Sequence, residues 1–290
     1  MRNLIVGSQA LATGALTEHQ LRVGYRRLHR DVYVPKGTAV TRVDHIDGAW
    51  MRSGRRGVVA GLAAAALHGS HWIDDRIDVE LIWNNTRPPA GIIARDERIG
   101  ADEITRRSCI SVTTAARTAF DLGRHLPRGE ALARLDALVR ATAFRPDEVT
   151  MLMERYRGAR GLRRLREVLP LVDRGAESPQ ETRLRLLFID AGLPRPRTQV
   201  PALDGRGRVV RTLDMGWEEY RVAAEYDGEQ HQTNRAQYLK DRRVLPVLAS
   251  LGWTVIRVVK EDRDEHTVEQ VVRALTARGW GGVGVPSPRL

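Results

Sequence analysis

Two acidic residues occupy positions where they could hold a divalent cation together. Asp214 and Glu225 lie in consecutive stretches, 209–215 and 221–227, whose composition predicts β-strands. If residues 218–220 form a tight turn between these strands, Asp214 lies opposite Glu225, with Cβ atoms roughly 5 Å apart. Carboxylates this close repel unless a cation neutralises them, and Mg²⁺ (or Mn²⁺) suits such oxygen ligands. A cation held there could activate water to hydrolyse a phosphodiester bond.

Two further acids could complete this site, and each also has a purely structural interpretation. Asp227 projects to the same strand face as Glu225, because side chains alternate along a strand. The Asp-Gly pair that begins at Asp227 could instead merely form a turn. Glu181 could support the cation, or it could only close a helix start together with Ser178, as in a capping box. Both interpretations stay open for each residue.

The last part of the chain, residues 173–280, must position these acids. Apolar periodicity, a Gly-then-Pro stop at 192–194 and a strongly apolar run near residue 255 predict alternating helices and strands. The fold class is therefore α/β, with a mixed sheet flanked by helices. The predicted elements are a helix at 178–191, strands at 197–200, 209–215 and 221–227, a helix at 234–251, a strand at 253–259 and a helix at 267–278.

Residues 176–275 resemble the endonucleases of very-short-patch repair, which belong to the PD-(D/E)XK superfamily. The resemblance implies a restriction-endonuclease-like fold and Mg²⁺-dependent cleavage of DNA. It rests on Glu181, Asp214, the run Glu225-x-Asp227-Gly228-x-x-His231, and the pattern Asp241-x-Arg243 followed by Gly252-Trp253.

The chain departs from that superfamily at one position. The superfamily places a lysine two residues after the second acid, where this chain has Asp227. The chain has only three lysines, and none of them can lie on that strand. Lys240 from the following helix could reach the site instead, or His231 could act as acid or base. The resemblance implies that His231 takes this role, because the repair endonucleases that this region resembles use a histidine to assist catalysis. One alternative is that His231 is merely a residue of a surface loop. Another is that the domain has lost catalysis and kept the fold.

The first forty residues, 1–40, predict a small winged-helix-like unit. Ser8 and Thr17 are candidate caps of two short helices, and strands at 25–28 and 32–34 follow. Two helices followed by a strand pair is the order of a winged helix, which places one helix in the major groove of DNA. Arg26 and Arg27 on the first of these strands are candidate nucleic-acid contacts, and so is Arg243 in the last domain.

Residues 41–172 predict a mixed α+β middle domain that ends in arginine-rich sequence. Six arginines fall between residues 155 and 166, on one predicted helix running from 145 towards 168. Arg160, Arg163 and Arg164 are candidate contacts to nucleic acid, and a merely solvated helix is the alternative. The other predicted elements are helices at 58–68, 114–123 and 129–143 and strands at 77–83, 91–94 and 110–112.

The front of the chain, residues 1–170, resembles the abortive-infection antitoxins. Those proteins join an N-terminal winged helix to a second domain, so the resemblance implies DNA binding or control of a cognate toxin. It rests on the run from Gly7 to Thr17, the hairpin Tyr25-Arg26 to Val32-Tyr33-Val34-Pro35, and the run Thr113-Thr114-Ala115-Ala116-Arg117-Thr118-Ala119-Phe120-Asp121-Leu122.

Composition limits the class of protein and the kind of partner. A net charge of +11 points to a polyanion, with nucleic acid preferred over a membrane. Cys109 is the only cysteine, which excludes an internal disulfide and a cysteine-based metal site. No apolar run of about 18 residues and no secretory signal are present, so a cytoplasmic protein without a membrane partner is expected.

Two functions of different classes follow from these patterns. The first is a DNA-binding protein with a Mg²⁺-dependent endonuclease domain that acts in repair or defence. The alternative is a non-catalytic antitoxin or transcriptional regulator whose nuclease fold is degenerate. An RNA nuclease is a third interpretation.

Overall fold

The computed structural model describes residues 4–228 and 235–282, without the side chains of residues 235–242. The chain divides into two compact units, Met1–Val172 and Asp173–Leu290. In the described part of the chain, no helix has both the length and the apolar character needed to cross a bilayer.

The first unit begins with two short helices and a three-stranded antiparallel sheet of order β1-β3-β2. Thr17 caps the second helix, because its hydroxyl accepts the N–H of Gln20 while the Gln20 side chain accepts the N–H of Thr17. The predicted cap at Ser8 is wrong, since the helix starts after Val6 and the Ser8 hydroxyl donates to Asp31 instead. The elements are β1 (Ile5–Val6), α1 (Gly7–Ala12), α2 (Glu18–Gly24), β2 (Tyr25–His29) and β3 (Val32–Pro35).

A five-stranded mixed sheet of order β6-β5-β4-β8-β7 follows in the same unit. β5 runs parallel to β6 and β4 parallel to β8, while the other pairs are antiparallel. The sequence patterns missed one helix, Arg42–Arg52, and two strands, Val58–Val59 and Ile104–Arg107. The elements are α3 (Arg42–Arg52), β4 (Val58–Val59), α4 (Gly61–Leu67), β5 (Val79–Ile82), β6 (Ile92–Arg95), a 3-10 turn (Ala101–Glu103), β7 (Ile104–Arg107) and β8 (Ile110–Thr113).

Four helices complete the unit: α5 (Ala115–His125), α6 (Arg128–Thr142), α7 (Pro146–Arg155) and α8 (Leu162–Val168). Phe120, Leu135 and Leu165 are among the buried side chains that join them into one core. The predicted single helix from 145 towards 168 is wrong. Gly161 adopts a left-handed φ of +83°, and a Cβ there would lie 2.3 Å from the carbonyl oxygen of Arg124. The chain therefore breaks between α7 and α8.

The second unit has the predicted α/β order, built on a four-stranded mixed sheet of order β12-β11-β10-β9. β11 and β12 are parallel and the other pairs antiparallel. Helices pack on the sheet through Phe188, Met215 and Val271, which are fully buried. The elements are α9 (Pro179–Asp190), β9 (Arg197–Leu203), β10 (Val209–Trp217), a 3-10 turn (Glu218–Tyr220), β11 (Val222–Tyr226), α10 (Arg235–Ser250), β12 (Thr254–Val258) and α11 (Asp264–Ala277).

Candidate acidic site and nucleic-acid interface

The hairpin of β10 and β11 has the register that the sequence predicts. Met215 pairs with Ala224 and Trp217 with Val222, so the same register continued by one residue places Asp214 opposite Glu225. Residues directly opposite in an antiparallel pair share one face of the sheet. The Oδ2 atom of Asp214 accepts the N–H of Tyr226 at 2.9 Å, which ties its carboxylate to the end of β11.

Glu225 is buried, with 5% of its surface exposed. Its Oε1 accepts a hydrogen bond of 2.8 Å from Nε of Arg211. Burial raises the pKa of Glu225 to about 7, and the charge of Asp214 acts in the same direction against the opposing charge of Arg211. Because the carboxyl is near its point of half-ionisation at neutral pH, a small electrostatic change would decide its protonation state.

Glu181 lies in the first turn of α9 and is buried. Its carboxylate accepts the Ser178 hydroxyl at 2.9 Å and the N–H of Glu177 at 2.8 Å, so it does help to close the helix start. Burial raises the pKa of Glu181 to about 7, and the nearby charge of Asp214 contributes to the rise. Both glutamates are therefore electrostatically coupled to Asp214.

The other predicted members of the acidic site are placed differently. Asp227 forms an ion pair with Arg257 of the neighbouring strand β12. Lys240 lies in α10, but its side chain is outside the described part of the chain, and His231 lies outside the described residues altogether. Within residues 4–228 and 235–282, no three acidic, histidine or cysteine side chains are arranged as a metal site.

The donor atoms of Glu181, Asp214 and Glu225 are carboxylate oxygens, the type of ligand that Mg²⁺ prefers. In the observed arrangement they are engaged by Arg211, by backbone N–H groups and by a hydroxyl. The ligand chemistry thus fits the cation, whereas the three carboxylates are not grouped as a metal site in this arrangement and Glu225 is bound by Arg211.

The arginines predicted to contact nucleic acid fall into separate groups. Arg27 and Arg243 are exposed, and neither guanidinium has an ion pair among the described residues. Arg26, also exposed, donates to the carbonyl oxygen of Thr38 at 3.0 Å. These three side chains are accessible to a polyanion.

The arginines after α7 do not form one helical surface. Arg160 lies exposed in the loop before α8, and Arg163 pairs along α8 with Glu167. Arg164 donates to the carbonyl oxygens of Arg124 and Leu126 at 3.1 and 2.9 Å, so it caps the end of α5. Arg164 thus has a structural role, and its contact with nucleic acid stays a prediction.

Sequence reasoning missed a buried ion network centred on α5. Arg117, 1% exposed, donates to Glu103 at 2.5 Å and to Asp121 at 3.1 Å. Arg124 donates to Asp121 at 2.9 Å and to Glu97 at 2.5 Å. Burial acts to raise the pKa of Glu97, but the hydrogen bonds and charges of His125 and Arg124 prevail and lower it to about 2. Alternating charges at positions 117, 121 and 124 of an otherwise apolar helix were the available signal.

The amino-acid sequence is similar to two curated proteins and to one family model. The chain is 37% identical over 201 residues to uncharacterized protein Rv2248 of Mycobacterium tuberculosis (strain ATCC 25618 / H37Rv), covering 69% of this chain and 73% of that protein. Uncharacterized protein MT2308 of strain CDC 1551 / Oshkosh matches with the same values. The chain belongs to the family of these mycobacterial proteins. Residues 57–171 also match the AbiEi antitoxin C-terminal domain. No solved structure matches the chain.

The AbiEi match covers the five-stranded sheet and helices α4 to α8, including the buried ion network. The antitoxin-like part of the sequence resemblance is thereby confirmed for residues 57–171. The match ends before Asp173, so the resemblance of residues 176–275 to repair endonucleases stays a prediction.

Proposed function

We propose that the protein is a DNA-binding regulator of the antitoxin type. One observation carries the proposal: a unit of two helices and a β-hairpin is joined through α3 to a domain that matches the AbiEi antitoxin C-terminal domain. The order of elements supports DNA binding through a winged helix, in which one helix enters the major groove and the hairpin contacts the backbone. The net charge of +11 supports a polyanionic partner.

The DNA-facing surface would consist of α2 and the hairpin tip. Arg22 on α2, Arg27 on β2 and Arg30 at the tip are exposed, and their guanidinium groups have no ion pairs among residues 4–228 and 235–282. Unpaired arginines of this kind neutralise phosphates and release counterions, which makes binding depend on salt concentration. Their contacts to phosphates also fix the register of a protein on DNA.

Fluorescence anisotropy with a duplex from the protein's own promoter region tests this proposal. Arg27→Ala/Arg30→Ala should weaken binding and reduce the slope of log K against log salt concentration by about 2, because each phosphate contact contributes about 0.9. Arg206→Ala/Arg208→Ala, on the exposed β9–β10 turn, removes the same charge elsewhere and should leave the slope near wild type. Equal losses in both variants would show that the hairpin is not the contact surface.

The antitoxin part of the proposal predicts a toxic partner. A gene beside this one should arrest growth when expressed alone, and co-expression of the full chain should restore growth. Rescue by a chain lacking residues 57–171 would contradict the assignment of antitoxin activity to the matched domain.

A second candidate function is metal-dependent cleavage of DNA at the acidic site. It is supported by the charge of Asp214, which acts on both Glu181 and Glu225 and helps to raise the pKa of each to about 7. A cation would then take the place of Arg211 as the partner of Glu225. Plasmid cleavage in the presence of Mg²⁺ or Mn²⁺ that disappears in Asp214→Ala would support this function. Absence of cleavage by the wild-type protein would exclude this second function and leave DNA-binding regulation as the proposed function.

A further inference from the structure

The domain that matches the AbiEi antitoxins contains a cleft of about 730 Å³. Three segments line it: residues 94–98 at the end of β6 and just after it, the inner face of α5, and residues 155–160, which run from the end of α7 into the loop before α8. Its volume falls within the range of small-molecule sites, roughly 300–1,000 Å³. Neither the comparisons nor the proposed DNA-binding surface assign a role to this cleft.

The floor of the cleft already binds an oxyanion from within the chain. One carboxylate oxygen of Glu97 accepts from Arg124 at 2.5 Å and from Arg117 at 3.1 Å, and the other lies 3.2 Å from Nε2 of His125. The guanidinium of Arg124 also lies 4.5 Å from the ring centre of Phe120, which fixes its plane. Nε of Arg124 is buried and has no partner among the described residues. The floor is thus formed by guanidinium groups that several contacts hold in place.

The rim of the cleft carries positive charge that the floor does not balance. Arg98, Arg157 and Arg160 are exposed, and their guanidinium groups form no ion pair within residues 4–228 and 235–282. Asp96 is the opposing acid on the rim. The buried arginines, in contrast, are compensated by Glu97, Glu103 and Asp121. Three unpaired guanidinium groups against one carboxylate leave an excess that suits a multiply charged anion.

The loop that carries two of these rim arginines is held in place. Nη1 of Arg124 donates to the carbonyl oxygen of Arg160 at 3.1 Å, and the Tyr156 hydroxyl donates to Glu103 at 2.6 Å. Gly161 permits the close approach of this loop to α5. Arg157 and Arg160 are therefore presented on an anchored backbone, which lowers the entropic penalty of ordering them around a ligand.

We propose that this cleft binds a small molecule with a polyphosphate group, such as inorganic pyrophosphate or a nucleoside triphosphate. Planar guanidinium groups match the geometry of phosphate oxygens and bind them through paired hydrogen bonds. A di- or triphosphate carries several negative charges, as the unbalanced rim requires. Phosphates of duplex DNA offer the same chemistry, so the experiment separates the two sources.

Isothermal titration calorimetry of the full chain with pyrophosphate and with ATP tests the proposal. Arg160→Ala should weaken binding about tenfold and Arg157→Ala/Arg160→Ala about a hundredfold, since each charge-assisted contact contributes about a factor of ten. Arg163→Ala, three residues from Arg160 and outside the cleft, should bind within about twofold of wild type. Arg98→Ala, on a different segment, should reproduce the loss of Arg160→Ala.

Three results would overturn the proposal. The first is no binding of either ligand by the wild-type chain at millimolar concentration. The second is an equal loss in Arg163→Ala, which would mean a diffuse charge effect. The third is binding of duplex DNA that depends on Arg157 and Arg160 when neither small ligand binds, which would make the cleft a DNA contact. The altered side chains are exposed, so unchanged melting temperatures are expected in every variant.

Discussion

The acidic site in the second unit makes the stability of that unit depend on pH near neutrality. Glu225 has its pKa raised from 4.5 to about 7 in the folded chain. A carboxyl whose pKa is higher in the folded state contributes stability that is complete below pH 4.5 and is lost as the pH rises through 7. The hairpin of β10 and β11 should therefore be less stable at pH 8 than at pH 5.

The size of this effect follows from the pKa values. A rise from 4.5 to about 7 corresponds to about 3 kcal/mol, because each pKa unit is worth about 1.4 kcal/mol. Glu181 has the same raised value, but both glutamates interact with Asp214, so their contributions are not simply additive. Because part of this stability is already lost at pH 5, we expect Glu225 to account for a loss of about 2.5 kcal/mol between pH 5 and pH 8, or about seventyfold in the opening equilibrium.

Hydrogen exchange of the β11 amides, read by mass spectrometry and corrected for the intrinsic pH dependence, measures this loss. Glu225→Gln stays neutral at every pH and should reduce the slope to the part that Glu181 contributes, whereas Glu219→Gln, at an exposed acid of the adjacent turn, should keep the wild-type slope. Mn²⁺ at pH 8 should restore protection if a cation can replace Arg211. A flat wild-type profile, or an undiminished slope in Glu225→Gln, would refute the buried-carboxyl reasoning.

Three further predictions concern the first unit, each measured by urea denaturation against wild type. Arg117→Met should lower the free energy of unfolding by about 3–5 kcal/mol, because the buried carboxylates of Glu103 and Asp121 would each lose one of their guanidinium partners; a loss below about 1 kcal/mol would contradict this. Gly161→Ala should destabilise by about 2 kcal/mol or more through its positive φ and its contact with a carbonyl, and a neutral result would show that the loop can move. Thr17→Ala should lose about 1 kcal/mol with its capping box, whereas Thr17→Ser should retain most of it.

Local signals in the sequence predicted some features accurately. The order of elements in the second unit and the register that brings Asp214 opposite Glu225 both follow from strand alternation and a short turn. The helix cap at Thr17 also depends only on neighbouring residues. In each case the interacting groups are close in the chain, so residue type and spacing decide the geometry.

The break between α7 and α8 shows where local reasoning fails. Helical spacing of arginines favours one continuous helix from 145 towards 168, yet the chain must pass within van der Waals distance of the Arg124 carbonyl, and only Gly161 fits there. That constraint comes from α5, which lies more than thirty residues earlier in the chain. The result is a loop that gathers arginines around a cleft instead of spreading them over a helix.

Residue types and their spacing were enough to predict the α/β class, the hairpin register and the carboxylates that share one face. The ion-pair partner of each charge became known from the packed fold: Arg211 binds Glu225, Arg257 binds Asp227, and Glu97 lies between two arginines of α5. The physical reason is that desolvation and Coulomb energy depend on distances between groups that are remote in the chain. A residue's type and spacing fix its charge and its local face, but its partner and its pKa are set when the elements pack.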